Sequence, residues 1–269
     1  MSPQEKLLAL QNQLASLESI AVAFSGGVDS TLLLRVARDL LGAKRVLAVT
    51  AVSPFFPIRE QKESKALAAQ LGVHQELISI DPLQTPEVTR NDAKRCYYCK
   101  KVLMRSCLDR AQELGFPRLV DGSNLDDLSD YRPGSEAIKE LGISSPLVTA
   151  GLTKQDIRFL SHQLGLPTAD KPAFACLASR IPYGTAITTA ALSQVETCEA
   201  FLNRAGLNNY RVRHHGNTAR IEVPPAQLYE LIQEPLRSEL VAHCKQAGFH
   251  FVTLDLEGYR TGSLNEELS

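Results

Sequence analysis

Apolar positions along the chain follow two alternating rhythms. Short runs predict strands: a buried one at Ser19–Phe24, a β-branched one at Arg45–Val52 and a third at His74–Ile80. Between and after them, apolar residues recur at helical spacing over Ser30–Leu41, Arg59–Leu71, Cys96–Leu114 and Thr153–Leu164. Gly42, Gly72, Gly115 and Gly165 stand just past these segments, where a helix exit favours glycine. Thr153 and Asp156 have capping-box spacing. Leu119–Asp121 adds a short strand, and the first residues, MSPQEKLLALQNQLASLES, predict an amphipathic helix. Repeated strand–helix alternation predicts an α/β fold with a parallel sheet covered on both faces. After Pro182-Tyr183-Gly184 the rhythm changes. A helix around Leu192–Ala205 precedes two alternating segments, Tyr210–His214 and Ala219–Val223, which predict a hairpin turning at Gly216-Asn217. A helical stretch, Gln227–Gln246, and a strand, Phe251–Leu256, complete a smaller α+β unit. The boundary is placed near residue 187, giving domains 1–187 and 188–269, with a polar, frayed tail after Gly262.

The first strand runs into Ser25-Gly26-Gly27-Val28-Asp29-Ser30 and then straight into a helix. Such a turn builds an anion site: amide N–H groups and the helix dipole converge on one point. Gly26 and Gly27 allow close approach, Ser25 and Ser30 bring hydroxyls, and Asp29 suits a Mg²⁺ bridging phosphates. GxxxxGK[ST] is absent, which excludes a P-loop NTPase. SGGVDS resembles the pyrophosphate loop (PP-loop) of ATP pyrophosphatases, which split ATP into AMP and pyrophosphate.

Composition changes this picture little. The 269 residues carry a net charge of −1 and 44% hydrophobic content, which marks no general nucleic-acid binder. No apolar stretch spans a bilayer and no signal-peptide pattern opens the chain, so a cytoplasmic location is expected. In that reducing setting the six cysteines are expected as thiols or metal ligands.

Further candidates follow. Asp121-Gly122-Ser123-Asn124-Leu125-Asp126-Asp127 follows a strand; Asn124 is a candidate ligand to nucleotide, beside the alternative of a plain Asx turn. Lys154 and Arg158 are weaker phosphate candidates. Cys96 and Cys99 form a CxxC pair at a helix start, and Cys176 stands apart in KPAFACLASR. Three thiolates fit a 4Fe-4S cluster with one open iron, a zinc site completed by histidine, or plain thiols. Cys107, Cys198 and Cys244 lie in helical patterns and read as core residues. Arg180 follows Cys176, and Arg211 and Arg213 share a strand face, as do Arg220 and Glu222 on the partner strand. This arrangement fits either an anion pocket or a solvated face of ion pairs.

Together, SGGVDS, DGSNLDD, YRPG, KPAFACLASRIPYGT, RVRHHGNTARIEV and TLDLEGYRTGSLN resemble the LarE family, ATP-dependent sulfur transferases of nickel-pincer nucleotide synthesis, from Leu8 to Asn265. The resemblance implies a PP-loop ATP pyrophosphatase domain of adenine nucleotide alpha hydrolase type. It implies a smaller C-terminal domain for substrate binding or oligomerisation. Its substrate would be pyridinium-3,5-biscarboxylic acid mononucleotide: ATP adenylylates a carboxylate, and sulfur then displaces AMP. Ser25, Gly26, Gly27, Asp29 and Ser30 would hold pyrophosphate and Mg²⁺. Cys176 falls at the sulfur-donating cysteine. Ser179, Arg180, Arg211 and Arg213 match phosphate-binding or catalytic positions, and Glu199 and Glu222 match acids serving catalysis or metal binding. With Cys96 and Cys99 the chain resembles the branch whose three cysteines hold a 4Fe-4S cluster carrying an extra sulfide. A sacrificed Cys176 is the other branch's chemistry. The resemblance also implies a trimer or hexamer and an outside sulfur donor. The rivals are a tRNA thiolase, an ATP-dependent amidotransferase, and a metal carrier with a vestigial nucleotide site.

Overall fold

The computed structural model of the chain describes residues 1–128, 133–172, 176–260 and 263. Tyr131 and Arg132 of YRPG, residues 173–175 of KPAFAC, and 261, 262, 264 and 265 of the last motif lie outside the described residues, as does nearly all of the tail. In chain order the helices are α1 (Pro3–Ala15), α2 (Val28–Leu41), α3 (Ile58–Gln70), α4 (Pro86–Thr89), α5 (Arg95–Glu113), α6 (Gly134–Glu140), α7 (Pro146–Thr149), α8 (Lys154–Gln163), α9 (Thr189–Arg204), α10 (Leu228–Leu231) and α11 (Leu236–Gln246). The strands are β1 (Ile20–Ala23), β2 (Val46–Val52), β3 (His74–Ser79), β4 (Leu119–Val120), β5 (Arg211–His215), β6 (Thr218–Glu222) and β7 (Phe251–Leu254). Among the described residues, no helix is long and apolar enough to cross a membrane.

The chain folds as two compact units: Met1–Pro82 with Cys96–Phe174, and Leu83–Arg95 with Ala175–Ser269. The pattern change near residue 187 falls within the second unit.

In the first unit, four parallel strands stand in the order β3-β2-β1-β4. Side-chain alternation divides the sheet between two cores. Ile20, Val22, Val46 and Ala48 pack with Leu32, Leu33, Val36, Leu67, Ile157 and Leu160 of α2, α3 and α8. Ala21, Leu47 and Val49 face Cys107 and Ala111 of α5 and Ile138 of α6. Each fully buried leucine contributes roughly 1.5–3 kcal/mol. Gly42 closes α2 at φ 83, a left-handed conformation that a side chain would strain. Thr153 and Asp156 make the expected capping box at α8. The chain leaves β1 toward β2, and β4 lies on the other side of β1. The crevice between β1 and β4 is therefore the switch point where ligands of such sheets bind.

In the second unit, β5 and β6 form the expected antiparallel hairpin, and β7 adds in parallel to give the order β5-β6-β7. One expectation needs correction. Gln227–Gln246 is not a continuous helix: a 3₁₀ turn, α10 and α11 occupy it, with Pro235 immediately before α11. Proline lacks the N–H and clashes with the preceding turn, so it starts a helix rather than continuing one. Short α4, α6 and α7 carry too few periodic positions to be read from sequence.

Candidate functional site

The PP-loop stands at the switch point. Gly26 adopts φ 72. A Cβ there would come within 3.1 Å of Ser64 Cβ, so glycine is required both for conformation and for space. Gly27 caps α2 in extended conformation, with Asp29 in the first turn. Ser25 and Ser30 hydroxyls lie 3.2 Å apart, and Ser30 Oγ donates to Gly27 O at 3.3 Å. The loop after β4 closes on it: a Cβ on Gly122 would lie 3.1 Å from Ser30 N. Asn124 Nδ2 donates to Asp29 Oδ1 at 3.4 Å, and Lys154 forms an ion pair with Asp29 Oδ2. Asp126 accepts from Lys154 N at 2.8 Å, and Asp127 accepts from Asn124 N at 3.0 Å. The loop after β4 thus ties α8 and the PP-loop together. Ser25, Gly26, Gly27, Asp29, Ser30 and Asn124 are brought together.

Lys171 was not singled out from sequence. Its Nζ donates to Gly26 O at 3.2 Å and to Glu60 and Glu63, each at 2.8 Å. All three ammonium donors are used. Burial alone would lower its pKa, but the two carboxylates outweigh it and raise the value. No spacing signal marks such a residue; only the fold brings α3 to it. Arg158 is drawn away from phosphate, donating to Ala169 O at 2.5 Å and Lys171 O at 3.0 Å.

The second unit holds a different constellation. Arg180, 0% exposed, grips Glu199 in a fork: Nε–Oε1 2.8 Å and Nη2–Oε2 3.0 Å. Its Nη1 donates to Ser179 Oγ at 2.9 Å and to Cys176 O at 3.2 Å. Glu199 also accepts from Val212 N at 3.0 Å. Arg213 grips Glu222 in the same way, at 2.9 and 2.8 Å, and donates to Ser179 O at 2.8 Å. Arg220 shares Glu222 at 3.0 Å. Arg213 and Glu222 are buried, so this part of the face is not solvated. Charged groups enter such surroundings only when paired.

Arg211 differs. It is buried, donates to Tyr210 O at 2.7 Å and to Tyr259 Oη at 3.3 Å, and stacks over the Tyr259 ring at 4.7 Å. Among the described residues it has no carboxylate in salt-bridge contact. Burial, then the neighbouring Arg180 charge, push its pKa down. Tyr259 was not anticipated as its partner.

Cys96 and Cys99 sit in the first turns of α5, and Cys176 precedes the 3₁₀ turn Leu177–Arg180; all three are half-buried. Cys107, Cys198 and Cys244 are buried core thiols, as expected. Burial pushes Cys107 up to about 12. Hydrogen bonding with Cys244, then burial, raise Cys198. Among the described residues, no three His, Cys, Asp or Glu side chains are grouped as a metal site.

Comparison with known proteins fits this geometry. The NAD synthase family model matches residues 4–96, which include the PP-loop. An uncharacterized protein of Synechocystis sp. is 44% identical over 99% of both chains. The pyridinium-3,5-bisthiocarboxylic acid mononucleotide synthase of Lactiplantibacillus plantarum is 37% identical over 98% of this chain and 95% of its own. The tRNA 2-thiolation protein NcsA of Haloferax volcanii is 30% identical over 39% of this chain and 36% of its own. With the loop for ATP and Mg²⁺ in place and a named synthase matched almost end to end, the chain belongs to the LarE family of ATP-dependent sulfur-transferring enzymes.

Proposed function

We propose that this enzyme converts the carboxylates of pyridinium-3,5-biscarboxylic acid mononucleotide to thiocarboxylates. The near full-length identity to the Lactiplantibacillus plantarum synthase carries this reading. A carboxylate oxygen attacks the α-phosphorus of ATP, and the bond to pyrophosphate breaks. Amides of Gly26 and Gly27, the Ser25 and Ser30 hydroxyls and the α2 dipole take up the charge of the departing pyrophosphate, while Asp29 is the Mg²⁺ ligand. Sulfide then attacks the acyl carbon, and AMP leaves. Water must be kept from the acyl-adenylate, and placement rather than acid–base chemistry is the protein's main task.

The second unit supplies substrate recognition. Arg180 and Arg213 are committed to Glu199 and Glu222, so they set the shape and field of the site. Among the described residues Arg211 has no carboxylate in salt-bridge contact, and it is the guanidinium best placed to take the substrate phosphate.

Cys96, Cys99 and Cys176 are the ligands of a 4Fe-4S cluster. Each of the three is a soft, half-buried thiol, whereas the other three cysteines are spent in cores. Such a group, when bound, supplies a sulfide on its open iron, so Cys176 itself is retained rather than consumed.

Anaerobically purified protein is therefore expected to be brown, with about four irons per chain. Cys96→Ala, Cys99→Ala and Cys176→Ala should each remove colour and thiocarboxylate formation and leave the fold. A colourless protein with one zinc, or loss of the Cys176 sulfur mass after turnover, would overturn the cluster. The partial match to NcsA supports tRNA thiolation as a second reading.

A further inference from the structure

We propose that Asn91 and Arg95 clamp the turn that carries Cys176, which makes them positioning residues for sulfur transfer; this rests on Cys176 standing at the sulfur side of the reaction. Asn91 is fully buried and sits at φ 57. Its Nδ2 lies 3.3 Å from Ile181 O, 2.8 Å from Pro182 O and 3.0 Å from Thr185 O. Two amide hydrogens thus serve three carbonyls. Its own carbonyl accepts from Gly184 N at 3.0 Å. Its Oδ1 accepts from Arg95 Nη1 at 2.7 Å, and the same Nη1 donates to Ala178 O at 3.0 Å. Arg95 is 3% exposed, with its guanidinium 5.5 Å from the Tyr183 ring centre. From within the turn, Cys176 O accepts from Ser179 N at 3.0 Å, Ser179 Oγ at 2.8 Å and Arg180 Nη1 at 3.2 Å.

The cost of these devices argues for a purpose. Asn91 takes up a left-handed conformation that few non-glycine residues adopt, and a buried guanidinium that donates to backbone carbonyls gives up strong hydration. A loop that only needed closing would be served by glycine and proline. Here a buried amide and a buried cation from a distant stretch, Leu83–Arg95, fix the backbone from Ala178 to Thr185. Their hold on the turn starts two residues after Cys176. Preorganised sites use such supports, because a reactive group displaced by an ångström loses much of its rate. Arg95 directly precedes Cys96 in the sequence.

The test uses the full chain with Cys96→Ala and Cys99→Ala, leaving Cys176 the one cysteine that is not buried. Labelling by a maleimide is followed by mass spectrometry, with thermal melts by circular dichroism alongside. Asn91→Gly removes the amide yet accepts φ 57, and Arg95→Met removes the cation. Both should label Cys176 at least about fivefold faster, through more frequent local opening. Arg95→Lys should fall between Arg95→Met and its parent. Labelling at the parent's rate in both variants would overturn the clamp. If Arg95→Met does not fold, Asn91→Gly alone decides. In the chain with all its cysteines, Arg95→Met should also bind less iron on anaerobic reconstitution. A parent that binds no iron would defeat the cluster, while the labelling rates would still judge the clamp.

Discussion

Asp29 sits between two requirements. Its carboxylate accepts from Asn124 and pairs with Lys154, yet it stands in the first turn of α2, where an anion must bind. A bare carboxylate there would repel phosphate; with Mg²⁺ it attracts it. Asp29→Ala is therefore expected to lower substrate-dependent AMP formation by about 10²-fold or more, the scale seen when a key charge-stabilising group is removed. AMP release at the original rate would refute the metal role. Glu199 makes the opposite case. Deleting it removes the carboxylate that the wholly buried Arg180 side chain grips. Breaking such a pair from one side costs about 3–5 kcal/mol, so Glu199→Ala should lower the urea midpoint strongly. Glu199→Gln, which keeps the size and one acceptor, should cost less. Equal and small losses would mean that the pair contributes little.

The hairpin β5–β6 shows how an element couples side chains to pH. His214 lies on β5, with Nε2 3.0 Å from Gln194 Oε1, its ring 5.3 Å from that of Phe249, and Nδ1 buried without a hydrogen-bond partner among the described residues. Burial pushes its pKa below the ordinary value. A folded-state value below the unfolded one, near 6.5, gives stability that is complete above about pH 6.5 and is lost as pH falls through the folded value. Asp39 and Asp156 titrate lower still. Burial opposes their ionisation, but Arg35 and Arg38 in one case and Lys6 with Thr153 in the other outweigh it. Between pH 7 and 5, then, the urea midpoint should fall, and His214→Gln should flatten part of that fall. A variant with an unchanged slope would remove His214 as the cause. The hairpin itself was legible from alternation and from Gly216-Asn217, as were the parallel strands and long helices, because their periodicity and glycine stops are local signals. What side chains do inside the hairpin was not. Alternation places Arg211 and Arg213 on one face, but whether that face meets water or Arg180, Glu199 and Tyr259 depends on α9 and on segments far away in sequence. For the same reason the PP-loop could be read from six consecutive residues, whereas Lys171, Asn91 and Arg95 could not. Each acts on backbone carbonyls that another part of the chain delivers.

At the scale of the whole molecule, charge separates a small nucleotide substrate from RNA. Lys and Arg number 29 against 30 Asp and Glu, a net of −1. Around the sites the cations are already spent: Lys171 on Glu60 and Glu63, Lys154 on Asp29, Arg180 on Glu199, and Arg213 and Arg220 on Glu222. RNA binding draws on many unpaired cations that release counterions from phosphates, so its affinity falls steeply with salt. A small mononucleotide needs one phosphate held, the role proposed for Arg211. The enzyme should therefore pass through immobilised tRNA at about 0.15 M salt, where non-specific binding is already no tighter than about 10⁻⁶ M. The mononucleotide, in contrast, should stimulate AMP formation at any moderate ionic strength, because a buried guanidinium is poorly screened. Arg211→Met should then raise the KM for the mononucleotide far more than the KM for ATP. Retention on tRNA that declines linearly in log–log salt plots, together with AMP formation stimulated by tRNA and not by the mononucleotide, would turn the assignment to tRNA thiolation.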